Sequence, residues 1–329
     1  MIKDQNAFPG AGRFYKGNLH SHTTHSDGKL SCREAAQLYR EHGYSFLCFS
    51  EHDFYTDMRD ELDRDDFIIL PGLEASAVLW EETGNRRQKV HHIHGILGTE
   101  AMQKAAGEKA FRGSERVPAW EYRGRWDGAA VAQEITDYVR SRGCIAMYNH
   151  PLWSRVEPEE YERTQGLWGI EVFNYNTVNE SGNGYDPASW DRMLHRGVRI
   201  WGTATDDNHN EGLFPDDCGG WIMVKTEVLS HEAILQGMLQ GRFYGSSGPE
   251  LYRWEIKNGV AAVECSPAAR IDFIVGNHVG DGKTVLAPEG RTVVYAEYPL
   301  KGDETFIRVQ CTDQAGRAAW SNPFFAEQG

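Results

Sequence analysis

Residues 14–22 read FYKGNLHSH, an apolar run that ends in two histidines two residues apart. The same pattern recurs as SFLCFSEH at 45–52, DFIILPGLE at 66–74, CIAMYNH at 144–150, WGIEVFN at 168–174 and IWGTATDDNH at 200–209. Each apolar run has the length of a buried strand, about 4–8 residues. The polar side chains that follow therefore fall at strand C-termini: His20, His22, His52, Glu74, His150, Asp207 and His209. In a barrel of alternating strands and helices, that edge is where an active site is built. Imidazole and carboxylate groups gathered there suit divalent metals.

The chain has 329 residues, enough for such a barrel of about 200–250 residues and a small extra domain. Hydrophobic residues make up 40%, sufficient for a sizeable core. The formal net charge is -14, so duplex nucleic acid is not an expected partner. A small anion is still compatible, because bound metals reverse the sign inside a pocket. None of the six cysteines forms a C-x-x-C pair, which points to free thiols in a reducing cytosol. No apolar stretch reaches the ~18 residues of a membrane span, and the N-terminus has no apolar signal core. The expectation is a soluble, cytoplasmic protein with no membrane partner.

Along the chain, Ser31 and Glu34 form a capping box for a helix that ends near Gly43. A hairpin is expected over 75–97, with its turn in EETGNRRQK. Helices are expected over 129–142, 158–165, 187–195 and 231–240, between strands at 144–148, 168–173 and 198–204. This alternation predicts an α/β fold with parallel pairing. The pattern changes near Gly245. LYRWEIK, VAAVECS, IDFIVG, TVVYAEY and TFIRVQCTD are alternating segments divided by turn residues. The division is 1–245 for the barrel and 246–329 for a small antiparallel, β-sandwich-like domain. The sequence leaves open whether that domain covers the barrel, supports a homo-oligomer or contacts substrate.

His20 and His22 share a face in extended chain, and Asp27 follows in a Ser-Asp-Gly turn. With His52, Glu74, His150, Asp207 and His209, they exceed what one ion needs. Two or three divalent ions (Zn, Mn or Fe) are implied, with a carboxylate such as Glu74 able to bridge a pair. In His91-His92-Ile93-His94, alternation puts His92 and His94 on one face and His91 on the other. Glu171 could be a metal ligand, but the preferred reading makes it a candidate catalytic residue, acting through a ligating histidine or by touching substrate. His25 is a candidate general acid or anion contact. Arg155 is a candidate phosphate clamp, Arg86, Arg87 and Lys89 could close over an anion, and Trp153 could stack on an aromatic group.

These residues resemble the PHP family, named for polymerase and histidinol phosphatase domains. The opening motif stands here as GNLHSHTTHSDG, with Asn18 where the family has Asp. It is followed by Ser50-Glu51-His52-Asp53, Gly72-Leu73-Glu74 and Asn149-His150-Pro151. The closing motif is loosened to Asp206-Asp207-Asn208-His209, where the D-x-H spacing selects Asp207. The family's H-x-x-G spacing favours His92, with His94 in reserve. The chain's end is similar to the branch that includes carbaryl-hydrolase-like enzymes. The resemblance implies a distorted seven-stranded (β/α) barrel. It also implies a multinuclear metal-dependent phosphoesterase, acting through a metal-activated water on a small phosphorylated metabolite such as a phosphomonoester or nucleotide. The alternative is a metal-dependent carbamate, ester or amide hydrolase; a non-catalytic metal-binding module is a third reading.

Overall fold

The computed structural model describes residues 1–327; Gln328 and Gly329, the end of the expected β domain, lie outside the described residues. The strands that carry the ligand runs are β1 (Arg13–Asn18), β2 (Phe46–Phe49), β3 (Ile68–Trp80), β4 (Arg87–Leu97), β5 (Cys144–Tyr148), β6 (Leu167–Asn174) and β7 (Trp201–Thr205). They adjoin in that order. The pairs β1–β2, β2–β3, β5–β6 and β6–β7 are parallel, whereas β4 is antiparallel to both β3 and β5. The expected hairpin is therefore β3–β4, and Glu74 lies opposite His94 with Ser76 opposite His92.

The α/β arrangement expected is present, but the sheet does not close as the distorted seven-stranded barrel would. β8 (Trp221–Thr226) pairs antiparallel with β1 on the side a closing strand would need, and β9 (Phe243–Ser246) continues from β8. The ladder then runs on through Ala318–Ser321 and Phe306–Thr312, giving one open 15-stranded sheet. It crosses the expected boundary at 245, where Gly245 pairs with Trp320. The sheet curls until β7 lies against β9, and a Cβ on Gly245 would stand 3.0 Å from the Ala204 nitrogen. Just beyond the ends of β1 and β7 the chain meets itself at the bridge of Ser21 with Asn208, where His22 N–H donates to the Asn208 carbonyl and Asp207 N–H to the His20 carbonyl.

Alternation sorts the strand side chains into two layers. Leu47, Phe49 and Ile69 face outward and pack with Ala35 and Tyr39 of α1 (Cys32–Glu41), whose capping box is present. Ala75, Ala77, Ile93 and Ala146 pack with Val131, Ile135 and Val139 of α2 (Gly128–Ser141). Phe46, Cys48, Leu70, Ile96 and Met147 face inward and form a plug with Ile234 and Leu235 of the helix His231–Leu239. Glu74, His92 and His94 share that inward parity, so the apolar plug is the floor on which the polar cluster stands. The helix expected over 158–165 is only a 3-10 turn, Pro158–Glu160. Tyr161 leaves helical geometry (φ -141°) and stacks on Tyr148 at 4.7 Å between ring centroids.

The chain beyond β9 forms two packed layers. Leu251–Lys257, Val260–Ala268 and Val293–Pro299 make one sheet with Gln5–Asn6. It faces Arg270–Gly276 and Phe306–Thr312 across Trp254, Val263, Phe273 and Val309. The buried Arg308 donates to Asp191 of the helix Pro187–His195 and lies over Trp190, tying these strands to the first part of the chain. No helix among the described residues is long and apolar enough to cross a membrane.

Candidate metal centre

Glu74 stands at the centre of the cluster, fully buried. Its Oε1 lies 3.1 Å from His92 Nδ1, 3.3 Å from His20 Nε2 and 3.4 Å from His150 Nε2. Its Oε2 lies 2.9 Å from His52 Nδ1 and 3.5 Å from His22 Nε2. Asp207 faces it, with Oδ1 2.9 Å from His20 Nε2 and 3.1 Å from His22 Nε2, and Oδ2 3.7 Å from His150 Nε2. Asp27 completes the outer side, 3.5 Å from His52 Nε2 and 3.4 Å from His209 Nε2. Overlapping donor groups result: an outer one of His22, Asp27, His52 and His209; inner ones of His20, His22 and Glu74 and of His20, His150 and Asp207; and, deeper, His20, His94 and Glu171. His92 and His150 both face Glu74 Oε1.

The donor chemistry fits cations. Glu171 accepts from Thr205 Oγ1, the His150 backbone N–H and Asn174 Nδ2. It also lies 2.6 Å from His20 Nδ1, and so fixes the proton on that nitrogen. His20 Nε2 then presents a lone pair toward Glu74 and Asp207, which are themselves acceptors. Ser26 Oγ donates to Glu51 and lies 3.4 Å from His22 Nδ1, so the His22 Nε2 lone pair also points inward. Asn149 and Asn174 each supply one donor to the carboxylates, but Glu74 Oε2 is buried with no hydrogen-bond partner among the described residues. Imidazole lone pairs aimed at carboxylate oxygens are an arrangement that protons or metal ions satisfy.

The titration behaviour reflects this crowding. Burial opposes charge on His20, but Asp207, Glu171 and Glu74 outweigh it and hold its pKa well above the ordinary value. Burial likewise opposes charge on His52, yet Glu74 and Asp27 hold it up to about 9. Burial and the neighbouring His209 and His52 push His22 down to about 3. Burial disfavours the Glu74 carboxylate, but His92 and His20 keep it ionised well below the usual range.

A cavity of about 410 Å³ opens over the cluster. Asp27, His52, Glu74, His92, His150, Asp207 and His209 all reach it; His20 and His22 lie beneath, fully buried. His94 is one residue pair deeper than His92. Its ring lies 4.2 Å from that of His20, and both its nitrogens are buried without a partner among the described residues. Glu171 is buried behind His20 and does not reach the cavity. His25 is exposed and turned toward Cys32 Sγ (3.7 Å), outside the cavity wall. Arg155, at φ +59° after the turn that begins at His150, is exposed and also outside it; Arg87 stands in the wall instead. Lys89 is paired with Glu160 at 2.6 Å. His91 packs outward, stacked on Trp126 with its Nδ1 against Tyr148 Oη.

Several positioning residues carried no signal strong enough to single them out. Asn149 Nδ2 donates to Glu74 Oε1 at 2.6 Å, and Asn174 Nδ2 to Asp207 Oδ2 at 3.0 Å. The Asp216 carboxylate accepts from the backbone N–H groups of His209 and Asn210. Asn18 takes part as an amide: its Oδ1 accepts from the His20 and Asp206 N–H groups while its Nδ2 donates to the His20 carbonyl. Asp206 is not in the cluster. It accepts from the N–H groups of Cys218, Gly219 and Gly220, and burial pushes it up to about 7.

No family model and no curated protein matches the chain. Three solved structures are similar to it in chain course. One is a two-domain protein from Bacteroides vulgatus containing a PHP-like metal-dependent phosphoesterase predicted for it, at 13% identity and TM-score 0.46, over 95% of this chain and 93% of that one. Another, from Bifidobacterium adolescentis, is named as a metal-dependent phosphoesterase, at 16% identity and TM-score 0.42, over 71% and 98%. The third is an amidohydrolase from Chromobacterium violaceum with bound sulfate and no metal, at 16% identity and TM-score 0.39, over 69% and 96%.

Proposed function

We propose that this protein is a multinuclear metal-dependent hydrolase of a small phosphoester. The observation that carries the reading is the sharing of Glu74 among the donor groups. A phosphoryl group offers several non-bridging oxygens to adjacent cations, whereas a carboxyl or carbamate carbon offers one. Divalent ions (Zn, Mn or Fe) held here would polarise a phosphoryl oxygen and lower the pKa of a water.

The chain's own residues do the rest. Glu171 holds the His20 proton on Nδ1, and Asn149 and Asn174 fix the planes of Glu74 and Asp207. Arg87 reaches the cavity as a cation able to orient an anionic ester. The apolar plug below keeps water from the underside of the cluster and sharpens every electrostatic contact in it. Trp153 and Phe214 in the wall give the carbamate, ester or amide alternative its support.

The six free cysteines support a reducing, cytoplasmic setting. The net charge of -14 supports a small-molecule partner over duplex nucleic acid. We place the division between hydrolase and β domain near residue 245, where the last helix has ended and the second sheet is about to begin at Leu251, although one ladder runs across it.

Elemental analysis of protein purified without chelator tests the proposal, joined to a screen of phosphomonoesters, phosphodiesters, bisphosphonucleotides and carbamates with His20→Ala as control. Bound metals and phosphate release lost in the variant are expected. Turnover confined to carbamates or carboxylic esters selects the alternative. Fewer than one metal per chain after Mn or Zn addition overturns both.

A further inference from the structure

We propose that the cavity selects phosphomonoesters of uncharged, apolar or aromatic alcohols, and that Trp153 reads the alcohol. The inference rests on the phosphoester reading above. Trp153 is half-buried in the wall, its ring 5.0 Å from that of His150 and 6.0 Å from that of His92. An ester held over those two histidines places its leaving group along the indole. The ring is held in place, because Nε1–H donates to the carboxylate of Glu180 on the helix Tyr175–Ser181. Phe214 and Leu213 line the same cavity, and Leu213 is 77% exposed, an apolar rim left uncovered among the described residues.

Charge points the same way. Apart from the candidate ligands, the wall carries Glu180, Glu211 and Asp216 against one cation, Arg87. Lys29 pairs with Glu211 at 3.3 Å, but Glu180 and Asp216 have no cationic partner among the described residues. A leaving group with a second phosphate therefore meets two uncompensated carboxylates against one guanidinium and is disfavoured by like-charge repulsion. An aromatic alcohol meets an indole instead, and offset stacking adds to the area it buries. In the reaction the P–O bond to the alcohol breaks and a P–O bond to the water oxygen forms. The departing oxygen takes a proton from that water, leaving alcohol and inorganic phosphate.

The test compares kcat/KM of the metal-loaded protein for phenyl phosphate, glycerol 2-phosphate and fructose 1,6-bisphosphate, in wild type, Trp153→Ala and Trp153→Phe. Equilibrium binding of phenylphosphonate is a second readout. Wild type is expected to prefer phenyl phosphate and to use the bisphosphate least. Trp153→Ala should cut the phenyl-to-glycerol ratio and the phosphonate affinity by about tenfold, the scale of one aromatic contact. Trp153→Phe should keep most of both. An unchanged ratio and affinity in a folded, metal-replete Trp153→Ala overturns the role of Trp153. The bisphosphate as best substrate overturns the charge argument. Should Trp153→Ala fail to fold, Trp153→Phe together with the wild-type substrate order decides. Metals bound but none of the three phosphates turned over overturns the phosphoester reading, and this inference with it.

Discussion

Replacing Glu171 by Gln tests the metal centre without touching a residue that reaches the cavity. The Glu171 carboxylate is surrounded by four donors. His20 Nδ1 at 2.6 Å and Thr205 Oγ1 at 2.7 Å meet Oε1, and His150 N and Asn174 Nδ2, both at 3.0 Å, meet Oε2. An amide has one acceptor oxygen, so either orientation turns its NH₂ against two donors. If the oxygen faces His20, the His150 backbone N–H loses its acceptor. If the NH₂ faces His20, Nδ1 must give up its proton and Nε2 is no longer a lone pair aimed at Asp207. A hydrogen bond to a charged group contributes about 1.5–3 kcal/mol, or roughly 12- to 160-fold in affinity. Carboxylates behind ligating histidines show a similar effect, about 10–100-fold. Competition of metal-loaded Glu171→Gln against a chelator of known affinity should therefore show at least one ion bound about 10–100-fold more weakly, with secondary structure retained by circular dichroism. Wild-type affinity at every site would refute the argument that Glu171 sets the His20 tautomer.

Asp27→Asn should remove the group formed with His52 and His209 while sparing the inner one, so metal content falls by about one ion per chain. Glu74→Gln should lose more, because Glu74 is shared; equal losses in the two variants would break the assignment of groups. Chelation should lower the melting temperature, because a ligand at 100 times its Kd stabilises by about 2.7 kcal/mol, equivalent to about 4 °C in a chain of this size. An unchanged melting curve after verified metal removal would contradict that coupling. Burial, helped by Arg59, lowers His231 from 6.5 to about 4. The unfolded chain then binds the extra proton between those values, so stability is lost as pH falls from 6.5 toward 4, by up to ~3 kcal/mol. His231→Gln should shift the acid limb of a pH–denaturation curve to lower pH, and an unmoved limb would show that His231 is not held neutral.

What could be read from the sequence was local. The runs that lead to His20, His52, His150 and Asp207 end where their strands end, whereas Glu74, expected at a strand end, lies inside β3, which continues to Trp80 as one arm of the hairpin. The Ser31–Glu34 box caps the helix it announces. Alternation put His92 and His94 on one face, and they share it. Which of them meets Glu74 through a ring nitrogen depends on the β3–β4 register, and that is set by long-range pairing. The open sheet was hidden for the same reason. WIMVKT at 221–226 ends in no ligand and resembles an ordinary strand or loop, yet it occupies the edge of β1 that barrel closure would require. Arg155 looked well placed because it follows His150 closely. The backbone turns it out of the cavity, whereas Arg87, far away in sequence, is carried there by β4.

The backbone at the cluster explains why such details escape a reading by spacing. Asp53, His150 and Asp207 have φ of 50°, 25° and 59°, a region that costs a non-glycine residue about 1–3 kcal/mol unless its surroundings compel it. In each case the amide of the strained residue is tied to another member of the site or its support. Asp53 N–H donates to the Glu74 carbonyl, His150 N–H to the Glu171 carboxylate, and Asp207 N–H to the His20 carbonyl. The strain at one strand end is thus held by a residue on another strand. Placement of His150 depends on the Glu171 side chain that accepts from its N–H, and that of Asp207 on the course of the chain at His20. Ligand positions built this way are not independent. A substitution that relaxes one of these turns should displace a ligand on a different strand, even where the changed residue touches no ion.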